Sequence, residues 1–120
     1  MRQLESALKA AADPTRTRIL KLLEGGEVCV CHLQEVLGLA PSTVSKHLAL
    51  LKAAGLVDHR RDGRWTHYRH STGKHNPYAS GVLRLVRRAL ADDERVLADR
   101  RALRAVRGRS EAAAGREDVS

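Results

Sequence analysis

Apolar residues recur at helical spacing along most of this chain, and one short segment breaks the rule. Leu4, Ala7, Leu8 and Ala11 define a short amphipathic helix. Asp13-Pro14 then reads as an N-cap followed by a first helical residue, because the Asp oxygen accepts an orphan backbone N–H and Pro lacks one. Ile19, Leu20, Leu22 and Leu23 give a second helix its buried face, and Gly25-Gly26 ends it. A third helix is predicted from about Cys29 to Leu37, with Val30, Leu33, Val36 and Leu37 inward. Gly38-Leu39 makes a tight turn, and Pro41 opens a fourth helix with Val44, Leu48 and Leu51 inward and Gly55 as its stop. Ala40 is a poor N-cap for that helix. Helix, short Gly-containing turn and helix together make a helix-turn-helix over about residues 29–54.

The pattern changes at residues 56–70. Leu56 to Arg61 and Arg64 to His70 flank Asp62-Gly63, a strong two-residue hairpin signal. A turn on those two residues sets Val57 opposite Tyr68 and Arg61 opposite Arg64. A basic hairpin directly after a helix-turn-helix is a wing. Asn76-Pro77 reads as another cap, opening one long C-terminal helix over about 77–107 with Val82, Leu83, Val86, Leu90, Val96, Leu97, Leu103 and Val106 along it. That apolar face exceeds what one small domain covers, so a second subunit is expected to bury part of it. Residues 108–120 lack an apolar period and are predicted to be a disordered tail. The expected fold is therefore mostly α with a β-hairpin wing: a dimeric winged helix-turn-helix of five helices, forming one domain over residues 1–107.

Composition narrows the function. The net charge of +8 points to an anionic partner, nucleic acid first. Between Ser42 and Lys74 seven Lys and Arg residues face only Asp58 and Asp62, so the excess is concentrated on the helix-turn-helix and wing. No apolar run is long enough to span a membrane and the first residues form no signal-peptide core, so a cytoplasmic protein with reduced thiols is expected. No Ser/His/Asp arrangement, phosphate-cradling Gly loop or carboxylate pair stands out, which argues against an enzyme.

Two sets of residues carry the candidate chemistry. Ser42, Thr43, Ser45, Lys46 and His47 lie on the first turns of the fourth helix, away from Val44 and Leu48, where a recognition helix presents side chains to base edges. Arg60, Arg61, Arg64 and Arg69 form a basic ribbon for phosphates or the minor groove of double-stranded DNA. The second set is Cys29 and Cys31, the only cysteines. Thiolates select soft and borderline metals, although two small buried hydrophobes are the simpler alternative. Inside a regular helix residues two apart point about 200° away from each other. Both thiols can therefore grip one ion only if the helix begins after Cys31 or its first turn unwinds. His32 is a candidate third ligand; His47, His59, His67, His70 and His75 show no ligand spacing.

From about Ala7 to Ser71 the chain resembles the ArsR/SmtB family of winged-helix repressors. The resemblance is carried by Ala12-Asp13-Pro14-Thr15-Arg16, Val28-Cys29-Val30-Cys31-His32-Leu33, Ser42-Thr43-Val44-Ser45-Lys46-His47-Leu48-Ala49-Leu50-Leu51 and Gly63-Arg64-Trp65-Thr66-His67-Tyr68-Arg69. It implies a homodimer, joined through its first and last helices, that blocks operator DNA until a metal or metalloid binds. Of the inducer sites in that family, it implies the arsenic-type Cys-x-Cys on the third helix, with Cys29 and Cys31 holding As(III) or Sb(III). The family's further cysteine falls on Gln34 here, which leaves the third ligand to solvent, a small thiol or another part of the dimer. Release by thiol oxidation or sulfide, release by Cd or Zn, and a zinc-stabilised module that binds protein or RNA are the alternatives.

Overall fold

The computed structural model describes residues 1–119, with side chains through residue 113. The order is α1 (Arg2–Ala11), α2 (Pro14–Leu22), a 3-10 turn (Leu23–Gly25), β1 (Val28–Cys29), α3 (Val30–Leu37), α4 (Pro41–Ala53), β2 (Val57–Asp62), β3 (Trp65–His70), α5 (Ala79–Arg88) and α6 (Glu94–Val119). The winged helix-turn-helix expected from the pattern is present, with α3 and α4 as the motif and β2–β3 as the wing. Asp13 caps α2 by accepting from Arg16 N–H at 3.0 Å, and α4 starts at Pro41 with no side-chain cap from Ala40.

The core is aliphatic, with Ile19, Leu20, Leu23, Val28, Leu33, Val44, Leu48, Leu51, Leu56 and Val57 fully buried. Leu33 and Leu37 of α3 meet Val44 and Leu48 of α4 in one apolar cluster, so a shift at the start of α3 reaches the reading helix through packed side chains. Asn76 is buried and ties the segment before α5 down: its amide donates to Gln3 and Ala54 carbonyls, and its Oδ1 accepts from Tyr78 N–H. On α1, Leu8 is exposed rather than inward.

Four expectations are corrected. The third helix begins at Val30, not Cys29, because Val28 and Cys29 pair as a strand with Tyr68 and His67 of β3. The sheet is therefore three-stranded, ordered β1-β3-β2. The hairpin turns on Gly63-Arg64, so Asp62 faces Trp65, Arg61 faces Thr66 and Val57 faces His70. Gly63 has φ +62° and is the first central residue, the position at which a type II′ turn demands glycine.

The single C-terminal helix is two helices, making six among the described residues. Leu90 takes φ +62°, Asp93 caps α6 by accepting from Val96 N–H, and α6 folds back on α2 and α3. The turn is stabilised from a distance: buried Lys21 donates to the carbonyls of Val86, Arg87 and Ala89 at the end of α5. Val96, Leu103 and Val106 are thus buried within the subunit, while Leu90 and Leu97 of the same apolar series stay exposed. Finally, α6 runs on through residues 108–119, so the expected disordered tail is helical there; Ser120 lies outside the described residues.

Candidate thiol site and DNA-facing surface

The break between β1 and α3 builds the thiol site. Cys29 is the N-cap of α3 with extended backbone (φ −64°, ψ 138°), and Cys31 is the second helical residue. The 200° divergence of a continuous helix therefore does not apply, and the two Sγ atoms converge to 2.6 Å with the chain fully folded. No unwinding is needed to bring them together. Burial, then the neighbouring Cys29, pushes the Cys31 thiol up to about 11, so it rests protonated at neutral pH.

Gln34 occupies the next turn of α3, half-buried. His32 turns toward α6, where its Nε2 is hydrogen-bonded to Ser110 Oγ at 3.2 Å, and burial followed by the Arg107 charge lowers its pKa. Among the described residues no three His, Cys, Asp or Glu side chains converge as a ready metal cage.

Glu27, two residues before Cys29, links this site to the rest of the molecule. Its carboxylate accepts from Arg60 of β2 (Nε to both oxygens at 2.8 and 2.9 Å) and its carbonyl accepts from Arg107 of α6 at 2.7 Å. His67 Nδ1 stands 3.8 Å from the same carboxylate. Hydrogen bonding from Arg60 holds the Glu27 carboxyl below the usual range. Pattern reading missed Glu27 because its partners lie more than 30 residues away; the Glu before the Cys-x-Cys was the sole local hint.

On the reading side, Ser42, Ser45 and Lys46 of α4 are exposed, and Thr43 is half-buried. His47 turns back into the protein: its Nδ1 accepts from Arg16 at 3.3 Å and lies 3.9 Å from Asp13. Arg16 also donates to the Ala10 carbonyl, so α1, α2 and α4 meet at this point. On the wing, Arg61 and Arg64 face solvent, and the Arg64 guanidinium stacks 5.2 Å from the Trp65 ring centroid. Arg60 is also exposed, but its guanidinium is held by Glu27. Lys46 on α4 and Arg61 and Arg64 at the wing tip thus place exposed cations at the two positions from which a winged helix meets duplex DNA.

Comparison with known proteins agrees with this geometry. Residues 13–59 match the model of the bacterial regulatory protein, arsR family. Over 61 residues the chain is 49% identical to the HTH-type transcriptional regulator MJ1325 of Methanocaldococcus jannaschii, covering 50% of this chain and 68% of that protein. It is 48% identical over 62 residues to the arsenical resistance operon repressor of Escherichia coli K12, covering 51% of this chain and 53% of the repressor, so the chain spans about half that relative's length. Among solved structures it superposes with a TM-score of 0.59 at 35% identity on the homodimeric winged helix-turn-helix DNA-binding domain Mb0332 of Mycobacterium bovis, covering 71% of this chain and 72% of that one. Fold, motif order and sequence agree: this chain belongs to the ArsR family of bacterial regulatory proteins, which are transcriptional regulators and not enzymes.

Proposed function

We propose that this protein is a repressor that holds operator DNA as a homodimer and leaves it when As(III) or Sb(III) is bound by Cys29 and Cys31. The observation that carries the reading is the convergence of the two thiols at the N-cap of the helix that packs on α4. A relative named as an arsenical resistance operon repressor supports the choice of inducer. Ser42, Thr43, Ser45 and Lys46 would face base edges and phosphates, with Arg61 and Arg64 on the flanking backbone. His47 serves here to brace α4 against Arg16, and Arg60 contacts DNA only after leaving Glu27.

A bound metalloid would supply strong bonds to two thiolates. Each thiol would lose its proton to an arsenite hydroxyl that leaves as water, and fixing the two sulfurs would stiffen the β1–α3 junction, which the Glu27–Arg60 pair connects to the wing. A coupling of about 1–3 kcal/mol changes affinity roughly 5–150-fold, enough for release. The test is a DNA-binding titration of the wild type, Cys29→Ser and Cys31→Ser with arsenite, antimonite, cadmium and zinc. Normal release of either variant by arsenite would remove the site.

The proximity of the thiols also favours a second reading, oxidation to a Cys29–Cys31 disulfide. Peroxide would accept the two electrons and leave as water, and release by peroxide but not by arsenite would support this reading over the first.

A further inference from the structure

We propose that His67 is the third donor of the thiol site, and that it opens the site to borderline divalent cations of the Zn(II) and Cd(II) class. This rests on the assignment of Cys29 and Cys31 as ligands and extends it into the wing. The argument is one of register. Cys29 and His67 are directly opposed across the antiparallel β1–β3 ladder, and His67 in turn opposes Arg60 of β2. Opposed residues carry their side chains on the same face of a sheet, with Cβ atoms about 4.5–5.5 Å apart. A thiolate at roughly 2.3 Å and an imidazole nitrogen at roughly 2.0 Å from one ion span that gap.

The other histidines are placed differently. His32 is engaged with Ser110 of α6, and His70 donates to the Leu20 carbonyl. His59 neighbours Arg60 along β2 and so projects to the opposite face, where its ring packs 5.6 Å from that of Tyr68. His67 has no close hydrogen bond among the described residues; its nearest acidic neighbour is Glu27 at 3.8 Å, a carboxylate already neutralised by Arg60. Turning the ring from Glu27 toward Cys29 breaks no strong contact. Two thiolates, one imidazole and a water make a four-coordinate set suited to zinc or cadmium, whereas arsenite is served by the thiolates. Loading releases the two thiol protons to solvent, and the neutral imidazole contributes a lone pair. Because β3 continues from the Gly63-Arg64 turn through His67 to Arg69, a ligand on this strand conveys occupancy to the wing as well as to α3.

The test is anaerobic titration of the full chain with Co(II) and Cd(II), reading thiolate-to-metal absorption and the Co(II) ligand-field bands, beside arsenite binding measured by loss of free thiols. In His67→Gln, Cd(II) affinity should fall about tenfold or more, the Co(II) bands should change, and arsenite binding should stay at the wild-type value. His67→Cys, which returns a donor to the same strand position, should restore Cd(II) binding. Wild-type Cd(II) affinity and Co(II) spectrum in His67→Gln would overturn the proposal while leaving the thiol pair intact. Loss of Cd(II) binding in His67→Gln without rescue by His67→Cys would also overturn it. If Cys29→Ser bound Cd(II) and arsenite normally, the underlying thiol assignment would fail instead.

Discussion

Lys21→Met should be among the most destabilising single changes in this protein, although it lies outside both the thiol site and the DNA-facing surface. Met keeps most of the apolar stem in a site only 2% exposed, so the packing loss is small. What disappears is the ammonium, which donates to three carbonyls at 2.7, 3.0 and 3.3 Å and pairs with Glu24 at 2.7 Å. Hydrogen bonds to a charged group are worth about 1.5–3 kcal/mol each and do not add fully. Glu24 keeps Arg100 as a partner at 2.6 Å, so its charge is not orphaned. The stranded groups are the carbonyls of Arg87 and Ala89, which end α5 where the chain turns at Leu90, and the buried Oε1 of Glu24. A loss of about 3 kcal/mol follows, a large part of the roughly 5–15 kcal/mol by which domains are stable. Urea unfolding at matched protein concentration would measure it, since the proposed dimer would make the midpoint concentration-dependent. Hydrogen exchange should show the loss concentrated at the end of α5 and start of α6. A loss below about 1 kcal/mol, or one spread evenly over the chain, would refute the reasoning.

Three further outcomes are expected. Gly55→Ala forces a side chain into φ +76° and sets a Cβ 2.7 Å from that of Asn76, so it should cost about 2–3 kcal/mol in urea unfolding and loosen the α4–wing junction. Burial lowers the His70 pKa, so as pH falls the unfolded chain takes up the proton first; stability should decline below about pH 6.5 and level off once the folded pKa is passed, and His70→Gln should reduce that slope. His32, lowered in the same direction, adds to the wild-type slope. Arg64→Ala should weaken binding to all duplexes and reduce the log–log salt slope by about 0.9, whereas Arg60→Ala should do less because Glu27 already holds that guanidinium.

The helix-turn-helix was legible because its determinants are local. Asp13-Pro14, Gly38 and Pro41 punctuate the helices, and the inward faces at Leu33, Leu37, Val44 and Leu48 follow the helical period. The wing was legible from Asp62-Gly63, but its register slipped by two because Gly63 is the first residue of the turn rather than the second. The split between α5 and α6 left no Gly or Pro to read. Leu90 is held in a left-handed conformation beside a Lys21 cap more than 60 residues away in sequence. The thiol pair shows the same division. Its residues were evident, yet its geometry was not, because a two-residue strand at Val28–Cys29 exists only through pairing with β3. That pairing brings the thiols together without unwinding and sets His67 opposite one of them.

The most direct test is fluorescence anisotropy of a labelled duplex, selected by the wild-type protein from a random-sequence pool, while arsenite is added under reducing conditions. Wild-type protein should lose between about fivefold and 150-fold in affinity, with one metalloid bound per Cys29–Cys31 pair. Cys29→Ser should hold the same duplex throughout. Wild-type protein that keeps its DNA at saturating arsenite, or a Cys29→Ser variant released at the same concentration, would contradict the account.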